Sequence, residues 1–195
     1  MNKRQSRVLV CILAVISLGF FNNALFAADT YNVDTDHTYI MFRVKHLDVG
    51  YSYGRFNGPS GTFVFDESLP SNSSIEMQVK TEGVDTNVEK RDNHLRSPDF
   101  FNAAEHPVIT FKSTSVKKTS SDSYAVAGNL TLLGTTRPIS MVARDTGAGK
   151  DPWGNYRRGF ETTFTIKRSE FGMNFMLGGV SDDVDITVSV EGIRQ

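Results

Sequence analysis

The chain has 195 residues, a net charge of −1 and a single cysteine. The slightly acidic balance and the lack of a run rich in lysine and arginine argue against nucleic acid as a partner. One cysteine excludes an intrachain disulfide and a cysteine-rich metal site, so the protein must be stabilised by an ordinary hydrophobic core, for which this length suffices.

The first 27 residues have the order of a secretory signal peptide. Three basic residues precede Val8, an uncharged apolar run of fourteen residues follows, and small residues end at Ala27. The run is shorter than the roughly 20 apolar residues that span a bilayer, which favours cleavage over retention as a membrane anchor. We therefore predict that residues 1–27 are removed and that residues 28–195 work outside the cytoplasm as one domain with no integral membrane segment. The removed segment carries three positive charges and no negative ones, so the net charge falls from −1 to −4.

Most of the remaining chain alternates between apolar and polar residues with a period of two, which predicts an all-β domain. In the segment 39–45, for example, Ile40, Phe42 and Val44 fall on one face. Alternation bounded by turn-forming residues is the signature of strands, and eight or nine of them suggest a sandwich or a barrel. The glycines at positions 147 and 149 predict a turn. The predicted strands are 39–45, 61–66, 74–80, 108–116, 124–133, 139–143, 159–167 and 184–190.

The highly charged segment 86–97 lacks this alternation and predicts a short helix. Thr86 or Asn87 is suited to the N-cap, and the proline that follows Ser97 ends the helix. Val88 and Leu95 lie seven residues apart, so we expect the helix to dock through a narrow apolar stripe.

The fourteen phenylalanines are the feature that bears on function. The interior of an eight-stranded barrel either is filled by its own side chains or holds one small ligand, and periodicity leaves both alternatives open. The four histidines match no common metal-ligand spacing, and no Gly-x-Ser-x-Gly turn is present in the sequence. We therefore predict no metal site and no catalytic residues.

Several blocks of sequence resemble the YceI-like family. Residues 91–101, RDNHLRSPDFF, are similar to its R-D-x-H-L-R-S-x-D-F motif, and residues 128–138, GNLTLLGTTRP, are similar to its G-x-L-T-L-x-G-x-T-x-P block. Further similar blocks lie at 42–47, 151–161 and 184–192, in order along the chain. The clearest departure is Pro98, where the family often has alanine.

The resemblance implies an extended, antiparallel, eight-stranded lipocalin-like barrel with a short helix near its mouth. It also implies a periplasmic protein that carries an isoprenoid lipid, either a polyprenyl chain or a ubiquinone-type quinone, inside the barrel, with no other cofactor. A lined cavity is then favoured over a packed core. From the alternation, and from the place of Phe100 beside the helix, we predict that the ligand-binding residues are Phe42, Val44, Phe56, Phe63, Phe65, Met77, Val79, Phe100, Phe111, Leu130, Leu132, Met141, Phe164, Ile166 and Val188.

Four questions remain open at this point. The protein is either a carrier, an enzyme that acts on the bound lipid through His94, or a stress-linked structural or interaction module with a packed barrel core. Phe100 either closes the mouth or staples the helix to the barrel. Arg91, Asp92 and Arg96 form an ion-pair network that fixes the helix, or Arg96 meets a lipid headgroup together with His94. The acidic surface also permits a homodimer.

Overall fold

The computed structural model describes residues 28–195, so the predicted signal peptide lies outside the described residues. The described chain forms one antiparallel sheet of eleven strands and one α-helix, α1, at Glu89–Arg96. None of its helices has the length and apolar character needed to cross a membrane. The strands are β1 Asp29–Val33, β2 Tyr39–His46, β3 Gly50–Phe56, β4 Ser60–Phe65, β5 Ser74–Lys80, β6 Val84–Asp85, β7 Val108–Lys118, β8 Ser123–Leu132, β9 Thr135–Lys150, β10 Tyr156–Lys167 and β11 Val180–Arg194.

The sheet closes on itself because β1 pairs with both β4 and β11. β2 pairs with another stretch of the same edge of β11, so β1 and β2 are two halves of one interrupted strand. The pairings of β3 with β2 and of β4 with β1 make β3 and β4 a second interrupted strand, and β5 and β6 make a third. Eight strand positions therefore surround one axis in up-and-down order, which confirms the predicted eight-stranded antiparallel barrel.

The helix is confirmed, but its predicted cap and apolar stripe are wrong. Val88 occupies the N-cap position without a side-chain hydrogen bond, and Asn87 has a positive φ of 60°. Thr86 donates instead from its backbone nitrogen (2.8 Å) and from its hydroxyl (2.5 Å) to Asp92, inside the helix. Val88 is exposed, because this turn points it to solvent, whereas Leu95 packs on the core.

The strands β1, β3 and β6 were not predicted, and one predicted turn is wrong. The inward positions of β3 include Ser52 and Gly54, which are small and so give no apolar alternation. The glycines at 147 and 149 lie inside β9, not in a turn. Gly147 has a φ of 133° and pairs opposite Gly159, where the register between β9 and β10 shifts, so it serves a bulge in continuous pairing.

The buried apolar residues form two clusters, one toward each end of the barrel. Phe111 packs against both clusters, so it marks the level at which they meet. The mouth cluster lies beside α1 and consists of Phe56, Val79, Val84, Phe100, Phe101, Leu130, Leu132, Ile166, Phe171 and Met173. The closed-end cluster consists of Tyr31, Phe63, Phe65, Val116, Tyr124, Val126 and Ala143.

Candidate ligand cavity

The barrel contains a cavity of about 410 Å³ whose wall is overwhelmingly apolar. It extends from Phe65 and Tyr124 in the closed-end cluster to His46, Arg91 and His94 at the mouth. Cavities of roughly 300–1,000 Å³ are typical of small-ligand sites. The interior is therefore a lined space and not a fully packed core.

Every residue of the predicted binding set contributes to the wall of this cavity. The alternation placed their side chains on the inward face of each strand, and Phe100 reaches the wall from the segment after α1. Their contact with a ligand stays a prediction. The wall includes Phe42, Val44, Phe56, Phe63, Phe65, Met77, Val79, Phe100, Phe111, Leu130, Leu132, Met141, Phe164, Ile166 and Val188.

The predicted set omitted several wall residues that carried the same signal. Ile40 alternates with Phe42, and Ile139 alternates with Met141, so the strand period selects them equally well. Val116 had no such signal. It is buried in the wall because a bulge between Ser113 and Ser115 shifts the register of β7 and reverses the inward positions beyond it.

Two glycines let phenylalanine rings lie flat against the barrel wall. A Cβ atom at Gly54 would lie 2.3 Å from Cζ of Phe42, and one at Gly128 would lie 2.5 Å from Cζ of Phe111. Each ring therefore occupies the space that a side chain on the neighbouring strand would fill. This arrangement leaves room along the barrel axis.

Arg158 seals the closed end. Its guanidinium binds Asp145, reaches Glu67 at 3.3 Å and lies 4.1 Å above the centre of the Phe65 ring. Burial lowers the pKa of Arg158, but the hydrogen bond and charge of Asp145 outweigh it and the net pKa is raised. The cation stays charged and fills this end of the barrel.

At the mouth, α1 is held by hydrogen bonds to backbone carbonyls. Arg96 donates to the carbonyls of Glu82 (3.0 Å) and Val84 (2.9 Å), and Arg91 donates to the carbonyl and hydroxyl of Thr86 (2.9 and 2.7 Å). The fixing role predicted for these residues is present, but it runs through the segment 82–86 and not through ion pairs of Arg91 and Arg96 with Asp92.

The His94 ring lies among aromatic side chains at the mouth. Nε2 of His94 lies 2.8 Å from a carboxylate oxygen of Asp99, and the ring centre lies 5.0 Å from that of Phe100 and 5.3 Å from that of Phe175. Phe100 is buried in the mouth cluster and also lines the cavity. Phe100 thus packs the segment after α1 onto the barrel, whereas its closing of the mouth stays a prediction.

Arg168 fixes the loop 173–181 that borders the mouth. Only 2% of this residue is exposed, and its guanidinium donates to the carbonyls of Met173, Phe175, Val180 and Ser181 at 2.8–2.9 Å. Burial lowers the pKa of Arg168. A buried arginine with four backbone acceptors gives this loop one defined conformation.

The barrel wall parts between β9 and β10 toward the mouth. Their pairing ends at Arg144 and Glu161, and beyond this point β9 pairs with β8 while β10 pairs with β11. The hydroxyl of Thr162 donates to the carbonyl of Val142 at 2.9 Å where the strands separate. The cavity is therefore bordered by a slit as well as by the mouth.

Asp34, His37 and Glu191 converge on the outside of the barrel within reach of one cation. The guanidinium of Arg157 occupies that position and binds Asp34 (2.5 Å), Glu191 (2.6 Å) and Asp151 (2.8 Å). This cluster ties the corner after β1 to β10 and β11, so its geometry is explained by ion pairing within the chain.

The chain is similar to known proteins over most of its length. A model of the YceI-like domain matches residues 31–192. A UPF0312 protein of Pectobacterium atrosepticum is 44% identical over 189 residues, which cover 97% of this chain and 98% of that protein. The solved YceI protein of Campylobacter jejuni is 30% identical, with a TM-score of 0.70 and coverage of 77% of this chain and 90% of that chain. A polyisoprenoid-binding domain from Saccharophagus degradans shares the fold at a TM-score of 0.67, with 14% identity and coverage of 85% and 98%.

Proposed function

Because the chain belongs to the YceI-like family, we propose that it is a periplasmic carrier that holds the chain of an isoprenoid lipid inside the barrel. Residues 1–27 would direct export and be removed. The solved domain described as polyisoprenoid-binding, which has the same fold, supports this class of ligand.

The observation that carries the proposal is the apolar cavity of about 410 Å³. Burying each CH₂ group of a lipid is worth roughly 0.8 kcal/mol, so such a wall binds an isoprenoid chain with little polar help. Met77, Met141 and Met173 line it, and their flexible thioethers suit a methyl-branched chain. A module with a packed barrel core, the alternative from the sequence, would fill this space with its own side chains.

The polar side chains at the mouth suit a headgroup. His46, Arg91 and His94 border the cavity there, and a quinone ring or a phosphate would accept their hydrogen bonds. We propose binding without catalysis, because the wall of the cavity is overwhelmingly apolar, and an apolar wall binds a lipid chain but supplies no acid or base to it. Unchanged conversion of every tested lipid by a His94→Ala variant would support this, whereas a loss of turnover would favour the enzyme.

Native mass spectrometry of the protein purified from its own host tests the proposal. We expect a bound mass of an isoprenoid quinone or polyprenyl lipid, and uptake of added ubiquinone by delipidated protein. Ile139→Trp, which fills the cavity, should lower uptake, whereas Val142→Trp, at an exposed position on the same strand, should not. Protein that emerges empty and takes up neither ubiquinone nor a polyprenol would overturn the proposal.

A further inference from the structure

Five large apolar residues are exposed on two loops beside the mouth, and we call this surface the mouth rim. Leu47 and Val49 lie at the tip of the β2–β3 hairpin, and Val49 is 89% exposed. Phe175, Met176 and Leu177 lie in the loop before β11. Apolar side chains clustered on one surface of a protein commonly mark a contact with a partner or a membrane.

The two loops form one continuous surface. The backbone nitrogen of Leu47 donates to the carbonyl of Gly179 at 2.8 Å. A Cβ atom built on Gly179 would meet Cε of Met176 at 2.8 Å and Cδ2 of Leu47 at 3.5 Å, so both side chains lie against this glycine. Phe175 joins the rim to the mouth itself by packing on His94 and Phe100.

The backbone presents these side chains at a conformational cost. Leu47 has a φ of 51° and Met176 a φ of 53°, in the left-handed region that bulky residues rarely adopt. Leu47 and Asp48 are the central residues of a turn closed by a hydrogen bond of 3.0 Å from the backbone nitrogen of Val49 to the carbonyl of His46, and Asn-Gly is the usual choice at such positions. Retaining an exposed leucine in a strained position points to a function for the side chain.

Tyrosines and cations lie directly behind the hairpin tip on the outer face. Lys45 is opposite Tyr51, and Arg43 is opposite Tyr53 one step further from the tip. The guanidinium of Arg43 lies 4.6 Å from the centre of the Tyr51 ring. Both cations are paired within the chain, Lys45 with Asp48 of the tip at 3.5 Å and Arg43 with Asp185 at 2.9 Å. Exposed leucine and valine with tyrosines directly behind them have the order of a bilayer from its hydrocarbon to its interface.

We propose that the mouth rim docks on the surface of a phospholipid bilayer, so that the mouth faces the membrane. The purpose of this contact rests on the proposed lipid-carrier function. Each CH₂ group that has to enter water slows release about fourfold, so an isoprenoid chain leaves the barrel efficiently only into another apolar phase. A second copy of the chain seated on the rim would block the mouth, which favours a membrane as the occupant.

Cosedimentation with vesicles of phosphatidylethanolamine and phosphatidylglycerol tests the docking. Val49→Asp should weaken vesicle binding on the order of tenfold, since a valine leaves the apolar phase and a negative charge enters it. Val142→Asp is the matched control, because Val142 is an exposed valine on the outer wall of β9. Equal vesicle binding by the wild type and both variants would overturn the proposal, as would a rim that instead forms a dimer in analytical ultracentrifugation, lost in Val49→Asp.

The single tryptophan reports which end of the barrel docks. Trp153 is 79% exposed in the hairpin between β9 and β10, at the end of the barrel remote from the mouth. Docking through the mouth rim leaves its fluorescence emission unchanged when vesicles are added. A blue shift of this emission would place the membrane contact at the closed end and overturn the proposal.

Failure of the docking and failure of the carrier function give different results. If the wild type holds an isoprenoid in native mass spectrometry but Val49→Asp transfers ubiquinone between vesicles at the wild-type rate, the docking proposal is wrong and the carrier stands. If Val49→Asp loses vesicle binding although the wild type holds no isoprenoid, the docking surface stands and the carrier function is wrong.

Discussion

The guanidinium of Arg168 donates a hydrogen bond of 2.8 Å to the backbone carbonyl of Phe175, which places a buried cation directly beneath an exposed apolar loop. Phe175 in turn packs its ring on His94 of α1. The loop, the helix and the mouth of the cavity are thus connected through one arginine side chain.

Replacing Arg168 with methionine should destabilise the protein by about 3 kcal/mol, because four carbonyls, one of them fully buried, lose their donor. Urea unfolding measures the loss, and hydrogen exchange should show faster opening of residues 173–181. Arg137→Met is the control, since Arg137 is exposed and donates to the Glu170 carbonyl. A change below about 1 kcal/mol for Arg168→Met would show that the loop is fixed by other contacts.

Phe63→Ala should mainly lower stability, whereas Phe111→Ala should mainly lower ligand uptake. Phe63 is 4% exposed and stacks on Tyr31 at 4.8 Å, so its loss should cost about 3–5 kcal/mol of the free energy of unfolding. Phe111 is only partly buried and faces the cavity, so its loss should reduce ubiquinone uptake more than stability. Urea unfolding and native mass spectrometry of both variants separate the two effects. An equal large loss of stability in both would favour a packed core.

Gly54→Ala should narrow the cavity. The new methyl group would overlap the ring of Phe42 and force it toward the barrel axis, at a cost of roughly 1–3 kcal/mol. Ubiquinone uptake should fall in parallel. Gly50→Ala lies on the same strand and meets nothing within 4 Å, so it should leave both stability and uptake close to the wild type. Wild-type uptake by Gly54→Ala would mean that the ring does not border the bound chain.

Stability should fall in acid because Asp34 and Asp151 share Arg157. Burial raises the pKa of both carboxyls, but hydrogen bonds from Arg157, with His37 at Asp34 and Asn155 at Asp151, lower each to about 2 from an ordinary 3.8. Groups with a lowered pKa stabilise the fold above their unfolded value and lose that contribution as the pH falls through the folded value, here from about pH 5 to about pH 2. The hydrogen bond to Asp34 raises the pKa of His37 above 6.5, so His37 stays protonated in this window.

Urea unfolding as a function of pH measures this effect. Asp151→Asn removes one of the two titrating groups and should flatten the decline between about pH 5 and pH 2. Asp48→Asn, at the exposed hairpin tip, should keep the wild-type slope. An unchanged slope in Asp151→Asn would show that acid unfolding is governed by other carboxyls.

The barrel and much of its cavity wall were predictable from the sequence. Alternation in β2 placed Phe42 and Val44 on the inward face, and the same rule places Ile40 there as well. The resemblance of residues 91–101 to the family motif located α1 near the mouth. The cap of α1 was not predictable, because Asp92 binds Thr86 only after the chain turns at Asn87.

The sequence by itself determined which side chains face inward along each unbroken strand, because side-chain direction alternates as a local property of the extended backbone. Only the tertiary structure decided where that alternation reverses, as at the bulge before Val116, since a bulge is defined by the pairing of two strands. It also decided that Arg168 is buried and that Leu47 and Val49 are exposed. Burial depends on which distant segments pack together, and the local pattern of residues does not specify those segments.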